Sequence, residues 1–353
     1  VAQSLNAADV RAIYLIHGTF VGSDALGLVR EVARFWPEAA TWLGTLEKQL
    51  ADHVAGDNGN FTADLAAELQ ALLTTAGAPR IEVHRYAWSG ENHHIGRADA
   101  AVRLIEEFNN CAAGLLADSG ESSPRILALG HSHGGNVLAL VTNLLGADTE
   151  TREQFFHAAR PYYRWPLAGH VDLPHWPRVM AHLNAQDLAL ARVPLDIVTL
   201  GTPVRYGWDT RGYGKLLHVV HHRARDEFRP HFASFPPCWE DLADAQGGDI
   251  LQQLGIAGTN FAPGPLSWRA LWADQQLNRF LQPGLRRRDL LRRWKLGLRL
   301  HDEGDTLLID YPLPKTSFWK HLGGHAVYTQ SEWLLYHAEI IAEHLYAAQG
   351  VRA

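Results

Sequence analysis

Short apolar runs alternate along this chain with longer stretches whose apolar residues return every three or four positions. Residues 11–16 form a compact strand signal. Residues 24–77 are mostly helical by pattern, with a polar break at 55–60, and Leu65, Leu69, Leu72 and Leu73 share one face. Residues 81–88 alternate apolar and polar as a strand does. Residues 96–116 return to helical spacing, 126–129 read as a buried strand, and Val137, Leu138, Leu140, Val141 and Leu144 as a helix. Strands that alternate with helices predict an α/β fold, a mostly parallel sheet with helices on both faces.

Past residue 146 the periodicity weakens. Residues 146–194 carry Phe155, Phe156, Pro161, Trp165, Pro166, Trp176 and Pro177, too aromatic for a linker and too proline-rich for a regular helix pair. They read as an insertion. Residues 195–200 and 216–220 are further strands. A second insertion, about 230–295, ends in an amphipathic stretch (Leu266, Trp268, Leu271, Trp272, Leu277, Phe280, Leu281) and a basic patch, Arg286 to Arg288 with Arg292 and Arg293. Residues 296–300 and 306–309 suggest a β-hairpin, and a last helix runs from 331 to about 347. The organisation expected is one domain, 1–353, whose insertions form a cap over the active site.

Composition narrows the picture. A formal charge of -6 argues against a nucleic-acid partner. No apolar run approaches the eighteen or so residues that span a bilayer. Nor is there a basic-then-apolar signal segment at the start, which lacks an initiator Met. A soluble protein is expected, the cytoplasm favoured over secretion and oligomeric state left open. Cys111 and Cys238 cannot build a disulfide framework or a thiolate metal site by themselves, although one bridge between them is open. The 20 His offer no metal-ligand spacing, so no metal or other cofactor is expected. The 12 Trp are mostly packing residues, with the option of lining an apolar pocket.

The chemistry concentrates at Gly130-His131-Ser132-His133-Gly134, between the strand at 126–129 and the following helix. Strand, Gly-x-Ser-x-Gly and helix describe a nucleophile elbow, a sharp turn that presents one serine hydroxyl; the bland alternative is a serine that caps the helix. A serine needs a base, and the base a carboxylate. His325, on a glycine-flanked loop near the last helix, is the candidate base, ahead of His321 and His301; His337 and His344 fall inside the helix, on its surface. Asp226 follows the strand at 216–220 and is the candidate acid, with Asp302 and Asp305 as alternatives. Asp196 opens its strand and points to the wrong end of the sheet. Backbone N–H groups of Thr19, after His17-Gly18, and of His133 would form the oxyanion hole.

Ile16-His17-Gly18-Thr19, the elbow, Gly201-Thr202-Pro203, Asp226 and Gly324-His325 together resemble the lipase and esterase branch of the α/β-hydrolase superfamily. The resemblance covers the core and neither insertion. It implies a serine hydrolase of carboxylic esters that works through an acyl-enzyme on an acyl ester or lipid substrate. It departs from that family where the usual first strands are missing ahead of residue 11, so a reduced sheet is expected. The amphipathic stretch and basic patch admit contact with a lipid interface. Two other readings stay open: a phospholipase or acyltransferase with the same triad, and a non-catalytic protein of this fold that binds an apolar ligand.

Overall fold

Six strands form one sheet in the order β2-β1-β3-β4-β5-β6, and all five pairings are parallel. The computed structural model describes residues 1–19, 59–118, 120, 122–165, 170–224, 229–233, 244–256, 260, 262–264, 267–281, 299–312 and 321–347. The strands are β1 (Val10–Ile16), β2 (Glu82–Tyr86), β3 (Arg125–His131), β4 (Leu195–Leu200), β5 (Lys215–His221) and β6 (Asp305–Ile309). The helices are α1 (Ala2–Ala7), α2 (Ala63–Leu73), α3 (His94–Asp118), α4 (His133–Gly146), α5 (Thr149–Tyr163), α6 (His175–Ala185), α7 (Ile250–Ile256), α8 (Trp268–Leu281) and α9 (Leu334–Tyr346).

The period of two in the strands separates two cores. Ala12, Tyr14, Ile16, Ile126, Ala128, Ile197 and Leu216 face one, shared with α3, α4, α5, α6 and α8. Ile13, Leu15, Leu127, Leu129, Val198, Leu217 and Val219 face the other, against α1, α2 and α9. Central strands buried on both sides need nearly continuous apolar residues, which is why β3 runs unbroken from Ile126 to Leu129 and β4 is interrupted only at Asp196 and Thr199. Asp196, at the start of β4, is fully buried and takes bonds from Arg125 Nη1 (3.1 Å) and Tyr346 Oη (2.9 Å), at the end of the sheet away from Ser132.

Several expectations need correction. Residues 149–163 and 175–185 are a helix pair after all. Pro177 lies in the first turn of α6, where its missing N–H costs nothing, and Pro161 lies near the end of α5. The aromatic residues are the reason the pair forms: Trp176 is fully buried, with Tyr163 stacked at 5.2 Å and Phe155 at 6.2 Å between centroids. The expected hairpin is absent among the described residues. Residues 306–309 lie in β6, parallel to β5, 299 and 300 are not strand, and 296–298 lie outside the described residues. His337 is buried and bonded to Tyr311 Oη (2.7 Å), while His344 is exposed.

In α8 the buried side consists of Arg269, Ala270, Ala273, Asp274 and Leu277. Trp268 and Trp272 stand exposed at 48% and 46%, so the tryptophans are on its outer face, with Trp165 edge-on to Trp268. The basic patch at 286–293 and Cys238 lie outside the described residues; Cys111 is a half-buried free thiol packed on the core. No helix among the described residues is long and apolar enough to cross a membrane.

Candidate active site

Ser132 joins β3 directly to α4. Its backbone is at φ 52°, ψ -128°, a conformation that costs a side-chain-bearing residue about 1–3 kcal/mol. The turn leaves no space for a Cβ at Gly130 or Gly135. A Cβ at Gly130 would lie 2.7 Å from Gly135 N, and one at Gly135 would lie 2.0 Å from Thr202 Oγ1. Ser132 N–H donates to Leu200 O (2.9 Å) and Thr202 Oγ1 donates to Ser132 O (2.9 Å), which ties the turn to the end of β4. The Ser132 hydroxyl makes no capping bond to α4, so the helix-cap alternative does not describe it.

Thr19 follows β1 and is half-buried. Gly18, beside it, is pressed on the elbow: a Cβ there would stand 2.9 Å from Ser132 Cβ and 3.5 Å from Oγ. His17 is stacked on Trp88 at 5.6 Å, and Trp88 Nε1 donates to His17 O (2.9 Å), which fixes the loop. His133 opens α4, where backbone N–H groups have no helical acceptor. Its ring is buried 3.1 Å from Asn136 Nδ2, and burial, then Arg97 and Arg205, push it well below the ordinary imidazole range.

His325 Nδ1 is 2.7 Å from Asp249 Oδ2, and the carboxylate is fully buried. Asp249 also accepts from Tyr328 Oη (3.0 Å) and from the Gln252 N–H (2.8 Å). Burial alone would raise this carboxyl; the charge and hydrogen bond of His325, then Arg299, outweigh it and hold it below the usual range. Two backbone bonds lock the acid's turn to its surroundings, Asp249 N–H to His221 O (2.9 Å) and Ile250 N–H to Gly323 O (3.0 Å). Gly324, at φ 84°, lets the histidine loop approach: a Cβ there would be 3.0 Å from Gly248 O. His325 also lies against the elbow, its ring 4.7 Å from that of His131 and its carbonyl 3.2 Å from His131 Nε2. His131 itself is driven down to about 3 by burial and then His325, which leaves it neutral.

Asp226, the acid expected from chain order, lies outside the described residues. The carboxylate on His325 is Asp249, which sequence reasoning had left inside the second insertion. A signal was present: Gly247-Gly248-Asp249 comes straight before α7, and Asp249-x-x-Gln252 is the spacing of a helix start. Asp302 and Asp305 are exposed. His301 is buried face to face with His218 (3.6 Å, 3°), and His321 Nδ1 accepts the Gly324 N–H (3.2 Å), a brace for the loop that carries His325. Among the described residues no group of three or more His, Cys, Asp and Glu side chains is placed to hold a metal ion. No family model, curated protein or solved structure matches the chain.

Proposed function

We propose that the chain is a serine hydrolase of carboxylic esters, with Ser132 as nucleophile, His325 as base and Asp249 as its carboxylate. The observation that carries this reading is the buried Asp249–His325 pair, held against an elbow whose serine is strained and not used as a cap. Support comes also from topology: the three residues follow β3, β5 and β6 in the order Ser, Asp, His, all past the carboxyl ends of parallel strands, as in α/β-hydrolases.

In this reading Asp249 holds the Nδ1–H tautomer, so Nε2 carries the lone pair that takes the Ser132 proton. Ser132 Oγ bonds to the acyl carbon, and the oxyanion meets the N–H groups of Thr19 and His133. Collapse breaks the ester C–O bond and the alkoxide leaves with the proton from His325. Water, deprotonated by the same nitrogen, then frees the acid and restores Ser132. An apolar-ligand-binding protein would have no use for a buried carboxylate on that imidazole. The exposed Trp165, Trp268 and Trp272 support a lipid-facing side, since amphipathic rings suit such interfaces.

A serine-directed fluorophosphonate tests the assignment. The native protein is expected to gain one phosphonyl group, on Ser132 by peptide mass spectrometry, and the heat-unfolded protein none. Native protein that stays unlabelled, or is labelled elsewhere, overturns the reading.

A further inference from the structure

A second buried polar cluster joins the start of α3 to the residues that follow Pro203. Arg97 is fully buried and donates to three neutral acceptors, Tyr206 Oη (3.0 Å), Asn92 Oδ1 (3.0 Å) and Asn260 Oδ1 (2.8 Å). Arg205 meets His94 Nε2, at 3.4 Å, and the Tyr206 hydroxyl, while its Nε and Nη1 are closed off from solvent with no acceptor among the described residues. Even the His94 contact is contested. Burial, then Arg97 and Arg205, push His94 down to about 2, so it is neutral, with one N–H and one lone pair. Its Nδ1 faces Tyr206 Oη (2.7 Å), and its Nε2 faces both Asn278 Oδ1 (3.1 Å) and Arg205. One nitrogen cannot donate to the amide oxygen and accept from the guanidinium at once.

Among the described residues neither guanidinium makes an ion pair. The carboxylate whose charge reaches Arg205 is Asp274, and its oxygens already accept from Ile95 N–H (3.0 Å) and Asn260 Nδ2 (3.2 Å). Glu91 is bonded to His93 (3.1 Å) and Ser89 (3.0 Å). Guanidinium donors shut away from water without an acceptor, as Arg205 Nε and Nη1 are, are costly and are normally satisfied by an anion. The cluster is also wired to the elbow. Asn136 Nδ2 donates to Pro203 O (3.1 Å), two residues before Arg205, and lies equally close to His133 Nδ1.

We propose that Arg205, backed by Arg97, forms an anion subsite next to the elbow, and that the substrate is an ester bearing a carboxylate or phosphate group. The substrate class rests on the serine-hydrolase reading; the subsite does not. The acidic group would take the unmet Nε and Nη1 donors while the ester carbonyl lies at Ser132.

Calorimetric titration of the Ser132→Ala protein with glutarate, and separately with inorganic phosphate, tests the subsite without turnover. Saturable binding of one of them is expected, weakened about tenfold or more by Arg205→Gln. Glutarate assigns a carboxylate-bearing ester and phosphate a phosphate-bearing one. Binding of neither, or equal binding by the variant, overturns the subsite. Arg205→Met guards against misfolding: removal of a half-buried charge with two unmet donors is expected to raise the Tm of the ligand-free protein by a few degrees. A lowered Tm makes Arg205 a structural residue and overturns the proposal. With 4-nitrophenyl esters matched in length, with and without the acidic group, kcat/KM is expected to favour the acidic one about tenfold or more, a ratio that falls toward one in Arg205→Gln. No preference overturns the substrate class. Anion binding without turnover of any ester leaves the subsite standing and removes the hydrolase reading instead.

Discussion

Ser132→Ala is expected to lower kcat for an activated ester by about 10⁶-fold, and Asp249→Asn by about 10⁴-fold, with KM changed little in either. In the proposed reading the first loss removes the atom that would bond to the acyl carbon. The second is subtler. Asp249 accepts from His325 Nδ1, Tyr328 Oη and the Gln252 N–H. An asparagine there has one oxygen and an NH2, and if the NH2 faces Nδ1 the imidazole takes the wrong tautomer, its Nε2 protonated and unable to act as a base. Steady-state kinetics on both variants, with near-UV circular dichroism to verify folding, checks the pair. An Asp249→Asn enzyme that keeps wild-type kcat would remove the carboxylate role from this residue. The same large loss in Asp226→Asn instead would return it to the acid expected from chain order.

The parts of this site that rest on backbone constraint were legible before the fold. Ser132 and His325 both sit among glycines because neighbouring groups crowd them, at Gly135 the Thr202 side chain and at Gly324 the Gly248 carbonyl, and such crowding leaves a mark in the sequence. Asp249 leaves almost none. It sits at the start of a short helix, where an aspartate is ordinary for capping reasons, and it does serve there through the Gln252 N–H. Its second partner, His325, comes from a distant loop that no local pattern announces. The same limit explains α8. The sequence shows that stretch as amphipathic, yet its packed side holds Arg269 and Asp274, buried because Arg269 pairs with Asp172 and Asp274 takes the Ile95 N–H. Periodicity marks where apolar residues recur, and it cannot see charges made tolerable by partners remote in sequence. Parallel and antiparallel strands of five residues also look alike, which is how β6 reads as half a hairpin.

Acidification is expected to unfold the protein well above the pH at which its carboxylates protonate. Burial lowers eight histidines below their ordinary value: His94, His131, His133, His218, His221, His222, His301 and His337. All but His222, whose lowering is smaller, are neutral when folded in this range, and each protonates near 6.5 once unfolded. The unfolded chain therefore binds more protons below 6.5, so the stability present above that value is lost as pH falls toward the folded values. At pH 5.5 the difference is about 1.4 kcal/mol for each histidine held far below 6.5, on the order of 10 kcal/mol for those seven and less for His222, against a typical total of roughly 5–15 kcal/mol. Asp196 and Glu107 oppose this, because burial raises their carboxyls and folding then gains as they protonate; two acids do not offset the histidines. Calorimetry should show Tm falling by roughly 10 °C or more between pH 7.5 and 5.5. A flat Tm over that range would mean that these rings carry protons in the folded state. The titration also separates two routes to acid inactivation. Activity that falls together with the near-UV dichroism reports unfolding driven by the buried histidines, whereas activity that falls ahead of it reports protonation of an imidazole at the site itself.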